Sequence, residues 1–295
     1  ACKNGNASSQ SKSETPQDTI KAIKMPAIPQ MMTAPEQRAD FLAKHYWDNV
    51  NFADTNYIHH PEVTEQAWAD YCDLLNHVPL ETAQQAMRNV IDRTNVDKKV
   101  FTYITDLADK YLYDPNSPMR NEEFYIPVLE AMIASPVLNE TEKIRPQARL
   151  KLAQKNRIGT KALNFTYTLA SGAQGSLYQL KAEYLLLFIN NPGCQACTET
   201  IEGLKNAPII NQLLQEKKLV LLSIYPDEEL DEWKKHLSEF PNEWINGYDK
   251  KFTIKEEQVY DLKAIPTLYL LDKDKTVLLK DATAPAIEAY LMQHQ

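Results

Sequence analysis

One stretch of the sequence constrains the fold more than any other. An uninterrupted apolar run, Tyr184-Leu185-Leu186-Leu187-Phe188-Ile189, ends in Asn190-Asn191-Pro192-Gly193 and meets Cys194-Gln195-Ala196-Cys197. A short run without polar interruption suits a central strand, Glu183 to Ile189, covered on both faces. Pro-Gly imposes a tight turn directly after it. From about Cys194 to Gln215 the spacing turns helical, so the first cysteine falls at a helix start. The apolar run is far short of the ~20 residues needed to span a bilayer.

Around this junction the pattern from Gly159 onward is mixed. Phe165, Tyr167 and Leu169 alternate with polar residues, Ser171-Gly172-Ala173-Gln174-Gly175 is turn chemistry, and Ser176 to Leu180 leads out, which predicts a β-hairpin. Leu219 to Tyr225 reads as a second buried strand. Glu228 to Glu239 reads as a helix after Pro226-Asp227. Thr267 to Leu271 and Thr276 to Lys280 read as strands about Asp272-Lys273-Asp274-Lys275, and Pro285 to Gln293 as a closing helix. This order describes an α/β sandwich with a mixed sheet.

The chemistry sits on the cysteine pair. The unsatisfied N–H groups and positive dipole end of the helix favour a thiolate at Cys194, and two intervening residues let Cys197 reach its sulfur. Two other uses of the pair are zinc binding and a structural disulfide. Structural zinc wants four ligands, and the following sequence offers only His236 and His294. A disulfide closing so short a loop gains little entropy.

With these motifs in place, residues 160–295 resemble the thioredoxin fold, and most closely the TlpA-type thiol–disulfide oxidoreductases of the bacterial envelope. The hairpin before the central strand, the CxxC at the strand-to-helix junction and Ala264-Ile265-Pro266-Thr267-Leu268-Tyr269-Leu270-Leu271-Asp272 carry the resemblance. It implies that Pro266 is cis and sits beside the CxxC. It also implies that the backbone at Ile265, with Pro266 and Thr267, pairs with an incoming substrate strand. Cys194 and Cys197 become the catalytic dithiol, and no organic or metal cofactor is implied. The long gap between Cys197 and Pro266 leaves room for the extra helix–strand insertion of envelope members. Three positions depart from the pattern. Pro192-Gly193 replaces an aromatic residue, Phe188 stands where thioredoxins keep a buried Asp, and Thr200 where many TlpA-type members keep a Glu. Glu199 and Glu202 lie on the same helix but on faces expected to meet solvent. A peroxidase would need Thr-x-x-Cys with a nearby Arg, and residues 159–295 contain no Arg.

Residues 31–158 read as an all-α domain of six helices. Their expected apolar faces are Leu42, His45, Tyr46 and Asn49; Ala67, Tyr71, Leu74 and Leu75; and Leu80, Ala83, Met87, Val90 and Ile91. The later three are Val100, Ile104, Leu107, Ala108 and Tyr111; Val128, Leu129 and Met132, with Pro127 in the first turn; and Ile144, Ala148 and Leu152. Asp97 is a candidate N-cap, and Asn139-Glu140-Thr141-Glu142 a capping box. Cys72 reads as a small buried hydrophobe and the adjacent His59-His60 as a turn. The half resembles an uncharacterised domain that precedes thioredoxin modules in Gram-negative lipoproteins, with no activity to transfer.

Residues 1–30 are polar and aperiodic at their start, a tether with an r.m.s. span of ~30 Å. Ala1-Cys2 resembles a processed bacterial lipoprotein, with Cys2 as the lipid anchor, and implies a periplasmic or envelope location. Net charge is -8, which argues against a nucleic-acid surface. The expected partners are protein or small-molecule thiols and disulfides, with membrane contact by the lipid anchor alone. The reading is a thioredoxin-like reductase behind a helical domain. The alternative is a thioredoxin-fold binding module with little redox activity.

Overall fold

Proline, asparagine and aspartate punctuate the first half of the sequence, and the helix ends fall at them in the computed structural model, which describes residues 22–294. The expected anchor, Cys2, lies outside the described residues. The chain divides into two compact units, one ending at Leu138 and one starting at Asn139.

Among its described residues the first unit is helical: α1 (Pro35–His45), α2 (Pro61–Leu75), α3 (Leu80–Arg93), α4 (Lys98–Ala108) and α5 (Glu122–Ala134). Asp97 caps α4 by accepting from the N–H groups of Lys99 and Val100. Most of the residues expected on the faces of α2, α3 and α4 supply its core, with Tyr71, Leu75, Met87, Ile91, Val100 and Ile104 buried, whereas Leu80, at the open first turn of α3, is exposed. The face expected for the first helix is corrected. Ala43, Tyr46, Trp47 and Val50 are buried, whereas Asn49 is exposed. The helix stops at His45, so the helical spacing that linked Leu42 to Asn49 does not continue.

Pro127 also sits elsewhere than expected. The Asn121 side chain caps α5 by accepting from Phe124 N–H, which puts Pro127 inside the helix. Proline has no N–H to give the Glu123 carbonyl one turn back. Gln84 Nε2, on α3, donates to that oxygen at 3.1 Å. Gln84→Ala should therefore cost about 1–2 kcal/mol in urea unfolding. A change within error would mean the carbonyl finds another donor.

The second unit opens with α6 (Glu140–Ala153), whose Asn139–Glu142 capping box forms with both bonds present. The sequence boundary at 158 thus moves ahead of this helix. The reason is the chain just after it: Asn156 Nδ2 donates to Val259 O at 2.8 Å, and Lys280 Nζ to Lys155 O at 2.7 Å. The expected stripe of α6 is corrected too. Ile144 and Ala148 are exposed, and Pro146 and Ala153, two turns apart, form the covered face.

The rest of the unit is a seven-stranded mixed sheet of order β2-β1-β5-β4-β3-β6-β7. The elements are β1 (Thr166–Leu169), β2 (Gln174–Ser176), β3 (Tyr184–Ile189), α7 (Gln195–Lys205), α8 (Pro208–Gln215), β4 (Leu219–Tyr225) and α9 (Leu230–His236). They continue as β5 (Ile245–Tyr248), α10 (Thr253–Glu256), β6 (Thr267–Asp272), β7 (Val277–Lys280) and α11 (Ala284–Gln293). β3 runs parallel to β4 and antiparallel to β6. Side-chain alternation splits its apolar run between two cores. Leu186 and Phe188 pack with residues of α7, α8 and α11, and Leu185, Leu187 and Ile189 with Phe165, Tyr167 and Tyr260. That is why the strand has no polar side.

The single helix expected over 194–215 is two. Pro208 holds Ala207 extended and starts α8, whose free N–H groups at Ile209 and Ile210 donate to the Glu288 carboxylate at 2.7 and 3.0 Å.

Candidate functional site

The site forms where the parallel strands β3 and β4 end. Gly193 has φ 80°, a left-handed turn that a side chain would strain. This turn delivers Cys194 to the N-cap of α7. Cys194 is partly exposed, and Cys197, one turn into the helix, is 2 % exposed. Both thiols are free. The Cys194 sulfur takes no capping bond from the first-turn N–H groups. Its S–H donates instead to the Ile265 carbonyl at 3.6 Å.

That carbonyl belongs to a cis Ile265–Pro266 peptide, as the sequence predicts. The cysteine pair and the Ile265–Pro266 loop, 71 positions apart for Cys194 and Ile265, thus meet. β3–β6 pairing sets their approach, with Ile189 opposite Thr267 at the strand ends. Thr267 is buried, and its hydroxyl donates back to Ala264 O at 2.6 Å. Its side chain is therefore committed to the loop.

Burial pushes the Cys197 thiol up to about 12, with the neighbouring Cys194 adding to the rise, while a backbone N–H donated by Asn191 opposes it. The carboxylates on the helix do not approach it. Glu199 accepts from Gln195 Nε2 at 2.9 Å, Glu202 pairs with Lys205 at 3.0 Å, and both are exposed. Thr200 donates to Ala196 O, and Phe188 is buried in the core.

Three residues that the sequence reading did not single out are linked to the turn before Cys194, whose N–H donates to Asn191 O at 3.4 Å. Asn191 Nδ2 donates to Asp227 Oδ2 at 2.5 Å, and Lys255 Nζ to Asp227 Oδ1 at 2.7 Å. The available signal was positional, since Asp227 follows β4 on the sheet edge where β3 meets the cysteines. A cleft of about 290 Å³ is lined by Ile265, Asp227, Lys255, Gln258, Tyr260 and Asp261, and meets the site at Ile265 rather than at either cysteine.

Elsewhere, Cys72 is 1 % exposed, and burial pushes its thiol up. His60 stands at the N-cap position of α2 without a side-chain capping bond, and its ring bonds Glu62 at 3.1 Å. Among the described residues no group of three or more His, Cys, Asp or Glu could hold a metal ion, and no helix is long and apolar enough to cross a membrane.

A family model described as Domain of unknown function (DUF5106) matches residues 1–156, and one described as Thioredoxin-like matches residues 182–277. A thioredoxin-like protein from Bacteroides caccae, solved by crystallography, is 84 % identical, with 94 % of this chain and 100 % of that one covered and a TM-score of 0.92. The C-terminal domain of an uncharacterized Bacteroides fragilis protein is 69 % identical over 46 % of this chain and 98 % of that one, TM-score 0.46. The thioredoxin domain of a thiol-disulfide oxidoreductase from Bacteroides vulgatus is 19 % identical over 47 % of this chain and 97 % of that one, TM-score 0.42. No curated protein matches the chain.

Proposed function

Because the chain belongs to the thioredoxin-like proteins that carry an N-terminal DUF5106 domain, we propose that it is a thiol–disulfide oxidoreductase working as a reductase. One observation carries the reading. An accessible Cys194 stands at a helix N-terminus with the shielded Cys197 one turn behind it, and its sulfur lies 3.6 Å from the Ile265 carbonyl. Cys194 is the sulfur an incoming disulfide can reach, and the cleft lined by Ile265 gives a substrate backbone room to approach.

The Cys194 thiolate attacks one sulfur of a substrate disulfide. A Cys194–substrate S–S bond forms, and the other substrate sulfur leaves as a thiolate that takes a proton. Cys197 loses its proton and attacks Cys194. The Cys194–Cys197 disulfide forms, and the second substrate thiol leaves. Two electrons pass from the dithiol to the substrate, and an external dithiol donor must return the protein to its reduced form. Cys2 would hold the protein to an envelope membrane by a lipid, on the sequence reading given above.

Insulin-disulfide reduction by the wild type and by Cys194→Ser tests the activity. The wild type should reduce insulin with a dithiol donor, and the serine variant should fall to the donor-only background. The absence of a carboxylate among the groups acting on Cys197 favours the second reading, a binding module on a thioredoxin scaffold. Equal, background-level rates for both proteins would make that reading the better one.

A further inference from the structure

We propose that Leu152 of α6 is a specificity residue for polypeptide disulfides, and that the cleft it lines seats an apolar side chain next to the substrate cysteine. The inference rests on the oxidoreductase reading above and deepens it, because it selects polypeptides over small disulfides as the substrates the site is shaped for.

Leu152 stands in the last turn of α6 and is half-buried. It is not among the residues packed in either core of the sheet. Its apolar neighbours in the cleft wall include Leu262 and Ile265, both part-exposed and both in the loop that carries the cis peptide. Two sets of bonds fix the end of α6 here. Lys280 Nζ, on β7, donates to Ala153 O at 3.3 Å and to Lys155 O at 2.7 Å. Lys155 Nζ donates to Gln258 O at 2.6 Å, and Asn156 Nδ2 to Val259 O at 2.8 Å. The helix end is thus pinned both to β7 and to residues 258–259, which lead into the cis loop. A wall built this way has its shape before a substrate arrives, which lowers the cost of binding.

The charges in the wall decide what the cleft takes. Asp227 has both oxygens engaged, Oδ1 with Lys255 Nζ at 2.7 Å and Oδ2 with Asn191 Nδ2 at 2.5 Å. Asp261 Oδ2 is paired with Lys263 Nζ at 3.2 Å. The charged groups of the wall therefore have their counter-charges within the protein. A charged side chain entering the cleft would give up water without gaining an ion pair, whereas an aliphatic one covers Leu152, Leu262 and Ile265 and breaks no hydrogen bond. The volume of about 290 Å³ is at the lower end for ligand pockets, ~300–1,000 Å³, and suits one or two side chains. Ile265 joins the cleft to the reaction, since its carbonyl lies 3.6 Å from the Cys194 sulfur. An extended substrate advances ~3.3 Å per residue, so with its sulfur at Cys194 a residue one or two places along the chain lies at the cleft. A small disulfide has no such residue and leaves the cleft empty.

The test uses the reduced full-length protein and short peptides whose one cysteine carries a thionitrobenzoate, with Leu, Gly, Lys or Glu on both sides of it. Cys194 attacks the peptide sulfur, a Cys194–peptide disulfide forms, and thionitrobenzoate leaves as a coloured thiolate. Cys197 then attacks Cys194 and frees the peptide thiol. Each rate is divided by the rate with free glutathione, which removes the peptides' own differences in reactivity. In the wild type the Leu peptide should react about tenfold faster than the other three at low concentration. Leu152→Ala should lower the Leu-peptide rate about fivefold, and Leu152→Trp, which fills the cleft, should erase the preference. Both variants should react with dithiobis-nitrobenzoate, a small disulfide, within about twofold of the wild type. A wild type that prefers no peptide, or a charged one, would overturn the proposal. So would a preference for Leu that survives in both variants. If a variant also slows with dithiobis-nitrobenzoate, leucine-methyl NMR on the wild type decides. A Leu-flanked peptide with Ser in place of Cys should shift the Leu152 signal and its Gly-flanked counterpart should not, and an unmoved Leu152 signal overturns the proposal. A wild type inert toward every disulfide defeats the oxidoreductase reading instead, and the same NMR titration still decides what the cleft holds.

Discussion

Cys197→Ser is expected to stop turnover and leave the protein joined to its substrate through Cys194. The reason is the difference in surroundings between the two sulfurs. Cys194 is partly exposed at the helix start, whereas Cys197 is 2 % exposed and its thiol is pushed up to about 12. At neutral pH Cys197 is therefore protonated, and its reactivity grows only as pH rises toward that value. An incoming disulfide meets Cys194 first. With serine at 197, no thiol follows to break the mixed disulfide, so the complex should survive non-reducing electrophoresis. Turnover should drop below about one-thousandth of wild type, as expected when a nucleophile of a coupled pair is removed. Cys194→Ser should give no such complex. Mass spectrometry after brief alkylation of the reduced protein should find label on Cys194 before Cys197, and on Cys72 only after unfolding, since that residue is 1 % exposed. Equal labelling of Cys194 and Cys197, or trapping by Cys194→Ser, would contradict this order of attack.

What the sequence made legible follows from how local each signal was. The strand Tyr184–Ile189 is readable because both its faces are covered, so no polar residue interrupts it. The turn and helix start that place Cys194 are also local, written in Pro192-Gly193 and the residues after it. The capping box at Asn139 and the Asp97 cap are confined to four residues each and form as read. Strand β5 is different. Ile245-Asn246-Gly247-Tyr248 neither alternates nor forms an apolar run, and its role comes from pairing with β1 and β4. Its Gly247 is fixed by a contact distant in sequence, because a Cβ there would stand 3.0 Å from the Tyr167 ring. The same limit hid Asp227. Its partners lie 36 residues before it and 28 after it, and no spacing rule joins them. The faces of α1 and α6 were misread for a third reason. Periodicity reports which residues share a stripe, whereas burial depends on where the helix ends and what covers it.

The largest stability effect should come from Phe188, the position where related folds place a buried acid. Its side chain is 0 % exposed and belongs to the core that α7, α8 and α11 form against the sheet. Its ring meets Trp244 edge-on, with centroids 6.2 Å apart at 86°. Phe188→Ala removes this filling from the middle of β3 and should cost about 3–5 kcal/mol in denaturant unfolding. Phe188→Asp, which would place a carboxylate at the usual position, should cost more. It opens a similar cavity and adds a charge among Leu204, Ile201 and Leu268, none of which can accept or donate a hydrogen bond. Phe188→Leu, which keeps most of the volume, should lose less than the alanine variant. If Phe188→Asp unfolds at the wild-type denaturant concentration, the site tolerates an acid and its absence needs another cause. If the order is Leu, then Ala, then Asp, the position is committed to packing.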